Sequence, residues 1–323
     1  MTTFRQLTHA LALRDHGNFR RAAVSQQLSQ PAFSRSVQKL EDSLGVLLFE
    51  RLQGRVIPTA YGEVLLRKSE TILREKQEME SEIQLVAGSG AGELHVAMGE
   101  HAAILSGSRA IGELIAQHPG LRIQSHKMSW RAVGREVLDR RADVGLAEIS
   151  TLVGDSRLQL ELVGSHEVAF FCRPEHPLAN HSHVARSDLD LYPIATTRMP
   201  ARVAELFPGK SEIDLETGDL IPAIEVNDPA MSRQIAALSN AIGLDARPLI
   251  EPSLARGELK VLAFREPWMR LQYGFITLRD RTPSPAAEAF MQAVRRIEAK
   301  LVKRNRGLTE PRSETQRGGL GSY

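Results

Sequence analysis

Gln30, Pro31, Ser34, Arg35 and Gln38 crowd one short polar segment. Their amides, hydroxyl and guanidinium can bond base edges or phosphates, and a proline ring can touch a thymine methyl group. On a helix the four hydrogen-bonding residues share one face, while Phe33, Val37, Leu40 and Leu44, at i, i+4, i+7 and i+11, form an apolar stripe on the other. A solvated helix face has the same pattern, so the elements around it matter. A helix is predicted over Phe19 to Gln27, with Ala22, Ala23 and Leu28 turned to a core. Ser29 is placed to accept from an unpaired helix N–H, and Pro31, which has no N–H to satisfy, suits the first turn of the next helix. Two helices joined by such a turn are a common means of laying the second in the major groove. Leu48 to Arg51 and Gly54 to Pro58 read as a short basic hairpin ending at a Thr59 N-cap. It would set Arg51 or Arg55 on the phosphate backbone or in the minor groove.

Charge is distributed to match. The chain of 323 residues has a net charge of only +2, yet residues 1 to 68 carry ten Lys and Arg against five acids. The segment after Val302 holds five basic residues against two acids, and the middle is acidic. A basic head favours a polyanion partner, with random surface charge as the alternative, and the helix pair makes double-stranded DNA the partner expected. The 42% hydrophobic and 25% charged composition is that of a globular protein, and the length predicts two or three folding units. No apolar run is long enough to span a membrane, and Arg5, Arg14 and Asp15 interrupt the N-terminal segment where an export signal needs apolar residues. The single cysteine, Cys172, excludes an intrachain disulfide and suits a reducing compartment. The expectation is a cytoplasmic protein with no membrane partner.

The run Phe19-Arg20-Arg21-Ala22-Ala23, then Leu28 to Arg35, Leu40-Glu41, Leu44-Gly45, Leu48 to Arg51 and Thr59-Ala60-Tyr61-Gly62 resembles the N-terminal domain of LysR-type transcriptional regulators. The motif covers about sixty residues and is specific. Beyond it the chain matches that family in length and alternating pattern. The resemblance implies a winged helix-turn-helix, a dimerising linker helix, and a two-lobed, periplasmic-binding-protein-like effector domain. It also implies that Gln30, Pro31, Ser34 and Arg35 touch DNA, and that the protein is a homodimer or a homotetramer. The wing departs from the family pattern in having Gly54 near where an arginine often sits.

Periodicity supports the same organisation. A helix from Thr59 to about Ala87 is too long for one small domain, and Leu65, Ile72, Met79 and Val86 recur every seven residues, joined by Ile83. Packing of this stripe on its own head is the alternative to a helix partner. Gly88-Ser89-Gly90-Ala91-Gly92 reads as a joint rather than a phosphate loop, because it follows a helix and precedes a strand. The body then alternates strand and helix, which predicts βαβ units and a parallel sheet. The expected boundaries are a DNA-binding domain over 1–58, a linker helix and hinge over 59–91, and an effector domain over 92–302. Lobe I is placed at about 92–163 and 267–302, lobe II at about 164–266, and a disordered basic tail over 303–323.

The body lacks a Gly-x-Ser-x-Gly elbow, a His-Glu-x-x-His motif and a phosphate-binding lysine loop, so no catalytic residue, cofactor or metal site is assigned. His166, His176, His181 and His183 lie in a Pro- and Asn-rich turn region without the i, i+4 spacing of a metal site, and read as solvated loop histidines. Small molecules bind two-lobed α/β bodies where strand ends meet helix N-termini. That places Glu100, His101, Ser129, Trp130, Thr196, Thr197, Arg198 and Asn227 around a small-molecule effector, although Ser129, Thr196 and the neighbouring Asp228 also suit plain helix caps. Many members of the resembled family hold a carboxylate with a hydroxyl residue in the first of these turns. Glu100 and His101 occupy it here, which speaks against a simple carboxylate ligand and leaves room for a cationic or polar one. The competing classes are an enzyme or solute-binding protein with an appended helical head, and a DNA-binding protein without an effector.

Overall fold

A computed structural model describes residues 2–52, 55–86 and 92–309. The chain divides into two compact units, Met1–Gly92 and Glu93–Tyr323.

The first unit is built from α1 (Phe4–His16), α2 (Phe19–Ser25), α3 (Gln30–Leu44), the hairpin β1 (Phe49–Leu52) and β2 (Arg55–Pro58), and α4 (Ala60–Val86). Each of the first three helices starts where a side chain can cap it. Thr3 and Gln6 form a capping box on α1, Asn18 accepts from the backbone of Arg20 and Arg21, and Ser29 accepts from Ala32 N–H. Helix α3 stops at Gly45, whose φ of +71° is the left-handed conformation glycine adopts without strain. Phe33, Val37 and Leu40 are fully buried with Leu13, Ala22, Ala23, Leu48 and Leu66. Leu44, expected in the same stripe, is 43% exposed, because α3 runs past the edge of this small core there. Helix α2 ends earlier than the predicted Gln27, which has left-handed φ and so turns the chain toward α3.

Helix α4 follows the predicted span, and at 27 residues it is about 40 Å long. Its seven-residue stripe divides in two. Leu65 packs on the head core, whereas Ile72, Met79 and Ile83 are 44%, 54% and 58% exposed. The Val86 side chain, Gly54 and residues 87–91 of the joint lie outside the described residues.

The second unit contains β3 (Gly92–Gly99), α5 (Glu100–Ala102) continuing through a π-turn at Ala103–Gly107 into α6 (Ser108–Gln117), β4 (Leu121–Met128), α7 (Trp130–Leu138) and β5 (Val144–Ala147). The long β6 (Leu158–Cys172) comes next, followed by α8 (Arg186–Leu189), β7 (Ile194–Thr196), a small hairpin of β8 (Ser211–Ile213) and β9 (Leu220–Pro222), and β10 (Ile224–Glu225). The chain continues through α9 (Pro229–Leu238), β11 (Ile242–Ala246), α10 (Arg247–Ala255), β12 (Lys260–Val261), β13 (Arg270–Leu278) and α11 (Pro285–Thr309). The strand order β10-β7-β11-β6-β13-β5-β3-β4 gives two lobes that share β6.

The wholly parallel sheet expected from the alternation is not observed. Strands β3 and β5, and β7, β10 and β11, pair in parallel, but β6 and β13 are antiparallel to each other and to their neighbours β11 and β5. The apolar run in the sequence marks only Glu167 to Cys172 of β6. The first half of the strand, with exposed Gln159 and Leu162, does not follow such a run. Helix α11 also continues past Val302 to Thr309, into the segment predicted as a disordered tail, and residues 310–323 lie outside the described residues. Leu94, Val96, Leu146, Phe275 and Phe290 anchor the core of lobe I, and Phe170, Ile194, Phe207 and Ile242 that of lobe II.

Where β6 passes between lobes, Gly164 lies under the Tyr273 ring, and a Cβ there would sit 2.5 Å from the ring carbon bearing the hydroxyl. Overpacking of this kind costs about 1–3 kcal/mol. Gly164→Ala should therefore lower the urea midpoint of the body's unfolding, and an unchanged midpoint would show that the crossing tolerates a larger residue.

Candidate DNA-reading face and effector cleft

In the head, Gln30, Pro31, Arg35 and Gln38 are exposed and Ser34 is half-buried along one side of α3. The Arg35 guanidinium folds back to donate from Nε to the Pro31 carbonyl at 3.3 Å, so it is held along its own helix and free of any carboxylate among the described residues. The opposite side of α3 is fastened by groups that the sequence pattern does not single out. His9, 3% exposed, bonds the Ser36 hydroxyl at 2.7 Å, and burial, helped by Arg5, pushes its pKa below the usual range. Glu41 accepts from the backbone N–H groups of Leu48 and Phe49 at 2.8 and 3.2 Å, which fixes where the wing begins. Helical spacing puts Glu41 on the flank of the buried stripe, but sequence gives no sign of its backbone partners.

In the wing, Arg51 is exposed and its guanidinium stacks 4.6 Å from the centre of the Phe19 ring, tying β1 to the start of α2. Arg55 is exposed at the start of β2. Val56 N–H donates to Gly17 C=O at 2.9 Å, and Thr59 caps α4 through Gly62 N–H, as its predicted N-cap role requires. Arg14 Nη1 meets Glu70 at 2.6 Å and locks α1 against α4.

In the body, a cavity lies between the lobes, with about 720 Å3 of empty space that is partly open to solvent. Glu100, His101, Trp130, Thr196, Thr197 and Arg198 line it, in accord with the strand-end argument. Ser129 and Asn227 do not: both are exposed outside it. Ser129 precedes α7 without a side-chain cap bond, and Asp228 next to Asn227 caps α9 through Ala230 N–H. The Thr196 hydroxyl is already committed to Leu244 C=O at 3.1 Å, so it acts within the lobe, whereas Thr197, 5% exposed, has no hydroxyl partner among the described residues.

Sequence reasoning misses Glu148, Arg202, Asp245, Trp268 and Tyr273, all of which line the cavity. Glu148 and Asp245 stand at the ends of β5 and β11, where the same strand-end rule would have found them. Trp268 and Tyr273 come from the returning segment and β13, whose crossing course leaves no local signal.

Contacts bridge the two lobes around the cavity. His101 Nε2 meets Asp245 at 3.3 Å, Arg202 Nε meets Glu148 at 3.5 Å, Lys127 Nζ meets Asp228 at 2.8 Å, and Arg131 pairs with Asp219. Trp130 Nε1 donates to Arg198 C=O at 3.3 Å. The Lys127 ammonium holds the Asp228 carboxyl below its usual range, with the Ala230 N–H in support. Arg198 is itself held between Asp214 at 2.7 Å and Glu225 at 3.0 Å. Beneath the cavity the Tyr273 hydroxyl enters a buried cluster. It donates to Glu298, lies 3.2 Å from Ser106 Oγ, and is neighboured by His166, whose Nε2 is 2.8 Å from Glu298. Burial, reinforced by Glu298, keeps the phenol well above its usual pKa.

Of the four histidines expected in solvated loops, His181 and His183 are exposed, whereas His166, on β6, and His176 are buried because polar partners inside the body take up a ring nitrogen of each. His166 belongs to that cluster, and His176 bonds Asn240 C=O and Leu178 N–H. Among the described residues no three His, Cys, Asp or Glu side chains converge as metal ligands would. Cys172 is fully buried, and burial pushes its thiol up to about 11, which leaves little thiolate at neutral pH.

Glu100 is the electrostatic anomaly. Only 8% exposed, it is raised above the usual carboxylate range by burial, which outweighs the backbone N–H groups of Glu100 and Trp130 and the charges of His101 and Lys127. A carboxyl with a raised folded pKa costs nothing at pH well below its ordinary value. The cost appears as pH rises through the interval up to the folded value and stays constant above it. Glu100→Gln should therefore raise the melting temperature more at about pH 7 than at about pH 4. Calorimetric scans showing equal shifts at both would mean that the buried charge carries no such cost.

Residues 4–63 match the family model described as the bacterial regulatory helix-turn-helix protein of the lysR family, and residues 87–298 match that of the LysR substrate binding domain. The SDS degradation transcriptional activation protein of a Pseudomonas species is 32% identical over 293 residues, covering 90% of this chain and 94% of the relative. A full-length, singly substituted OxyR from Pseudomonas aeruginosa has a similar fold, with a TM-score of 0.65, 18% identity, and coverage of 91% of this chain and 95% of that one. Full-length CbnR complexed with its target DNA gives a TM-score of 0.64 at 18% identity, over 92% of this chain and 100% of that one. At such identity these two likenesses concern the fold alone.

Proposed function

The chain belongs to the LysR family of DNA-binding transcriptional regulators, and from that premise we propose how its parts divide the work. The head, 1–58, reads DNA with Gln30, Pro31, Ser34, Arg35 and Gln38, while Arg51 and Arg55 of the wing contact phosphates. Residues 59–91 join it to the body and pair two copies. The body, from residue 92 to the end of α11, binds a small-molecule effector between its lobes through Glu100, His101, Trp130, Thr197 and Arg198. Its role is regulation of transcription in the cytoplasm rather than catalysis, in keeping with a family of regulators. No helix of the described residues is long and apolar enough to cross a membrane.

The observation that carries the DNA reading is the two-sidedness of α3. One side is sealed into the core by Phe33, Val37 and Leu40, and the other presents Arg35 and the polar residues unopposed by any acid among the described residues. The cleft reading rests on the ring of interlobe contacts. A ligand there shifts the closed and open forms only through its differential affinity for them, and these bonds are what it would reinforce or replace.

Arg35→Ala tests the DNA reading. Loss of a bidentate guanine contact costs about 1–3 kcal/mol and relaxes preference at one base of each half-site. Titrations against a selected operator and its single-base variants measure this. Uniform weakening across all of them would make Arg35 a phosphate contact.

The exposed Ile72, Met79 and Ile83 support pairing through α4, since a lone helix gains nothing by presenting a seam of apolar residues to water. Ile72→Asp with Met79→Asp should dissociate the homodimer and abolish cooperative binding to paired half-sites. Sedimentation at the wild-type mass would remove α4 from the assembly. A tetramer, if formed, needs a further surface.

A further inference from the structure

The chemistry of the effector follows from the charges around the cleft, and this inference rests on the reading of that cleft as the effector site. Most charges there are already matched. Asp245 takes Arg233 and His101, Glu148 takes Arg202, and Arg198 is shared by Asp214 and Glu225. Arg270 also lines the cavity, is exposed to solvent, and bonds Ser165 rather than a carboxylate. Glu100 has no such match. It opens into the cavity, is 8% exposed, and among the described residues has no cationic side chain within ion-pair distance; His101 and Lys127 act on it only at longer range. The same cavity holds the unengaged Thr197 hydroxyl and the aromatic side chains of Trp130, Trp268 and Tyr273.

A carboxylate withdrawn from water without a counter-charge is costly, and a second anion beside it would add repulsion in a medium of low dielectric. A cation removes the first cost, and aromatic walls attract it further. We propose that the cleft takes an organic ammonium, a protonated primary or secondary amine on a compact aliphatic or aromatic body. Its N–H groups bond the Glu100 carboxylate and the Thr197 hydroxyl, and its body lies against the aromatic side chains.

The test is calorimetric titration of the full-length protein with 2-phenylethylamine and with 3-phenylpropanoate, which share a body and differ in charge. The amine should bind at least about tenfold more tightly than the acid, and Glu100→Gln should weaken the amine by about tenfold or more without weakening the acid. Thr197→Val should weaken the amine to a smaller degree. Preference for the acid, unchanged amine affinity in Glu100→Gln, or no saturable amine binding at millimolar concentration overturns the proposal. Met199→Trp, which fills the cleft from a half-buried position, separates the two readings. If the acid binds and Met199→Trp abolishes it, the cleft stands as the effector site and the ammonium chemistry fails. Binding of either probe that survives Met199→Trp lies elsewhere, and the cleft reading fails with it.

Discussion

The antiparallel pairing of β6 with β13 is the constraint on which the body depends. These two strands run from one lobe into the other, pairing from Leu158 with Leu278 to Glu167 with Arg270, with a register shift at Tyr273. Because each lobe completes its sheet on the same strand, the lobes cannot separate without breaking backbone ladders. Their relative motion is confined to bending where the two strands cross. The cavity opens beside that crossing, where a small bend changes the distance between the far edges of the lobes the most.

Sequence reveals the head almost completely because its determinants are local. Ser29, Pro31, Asn18 and Gly45 fix helix ends from within a few residues, and Phe33, Val37 and Leu40 announce the buried side of α3 by spacing. What sequence leaves undetermined is set by distance: Leu44 follows the spacing but outruns the core, and Glu41 finds its partners across the chain turn in Leu48 and Phe49. The body is less legible for the same reason. The alternation of strand and helix captures β3, β4, β5, β7 and β11, whose neighbours are built by the same repeating unit, but gives no warning of β6 and β13 running the other way. Strand-end reasoning finds Glu100, Trp130 and Thr197, and it cannot tell Thr196, whose hydroxyl turns inward, from Thr197, whose hydroxyl does not.

Electrostatics divides the two units by purpose. In the head, acids are used to fasten elements, as Glu70 fastens Arg14, and the basic groups on the polar side of α3 and in the wing remain open to an anion. In the body Arg131 and Arg202 beside the cleft are drawn into pairs that join lobe to lobe, while Arg198 is held within lobe II. Such pairs are individually worth little at the surface, and their value lies in geometry: each is satisfied only over a narrow range of lobe separation.

The Tyr273 hydroxyl limits how the wall of the cleft can change. Its ring forms cavity wall while its oxygen completes a buried cluster with Ser106, His166 and Glu298 drawn from four separate stretches of chain. Shortening it to enlarge the cavity would take the hydroxyl donor from one oxygen of buried Glu298 and leave His166 as its remaining partner, so this wall cannot vary freely. Val168, Met199 and Leu271 line the same space without polar obligations. Change in the size of this space, in the laboratory or by descent, is therefore channelled onto those apolar positions, with Tyr273 as the fixed point around which they change.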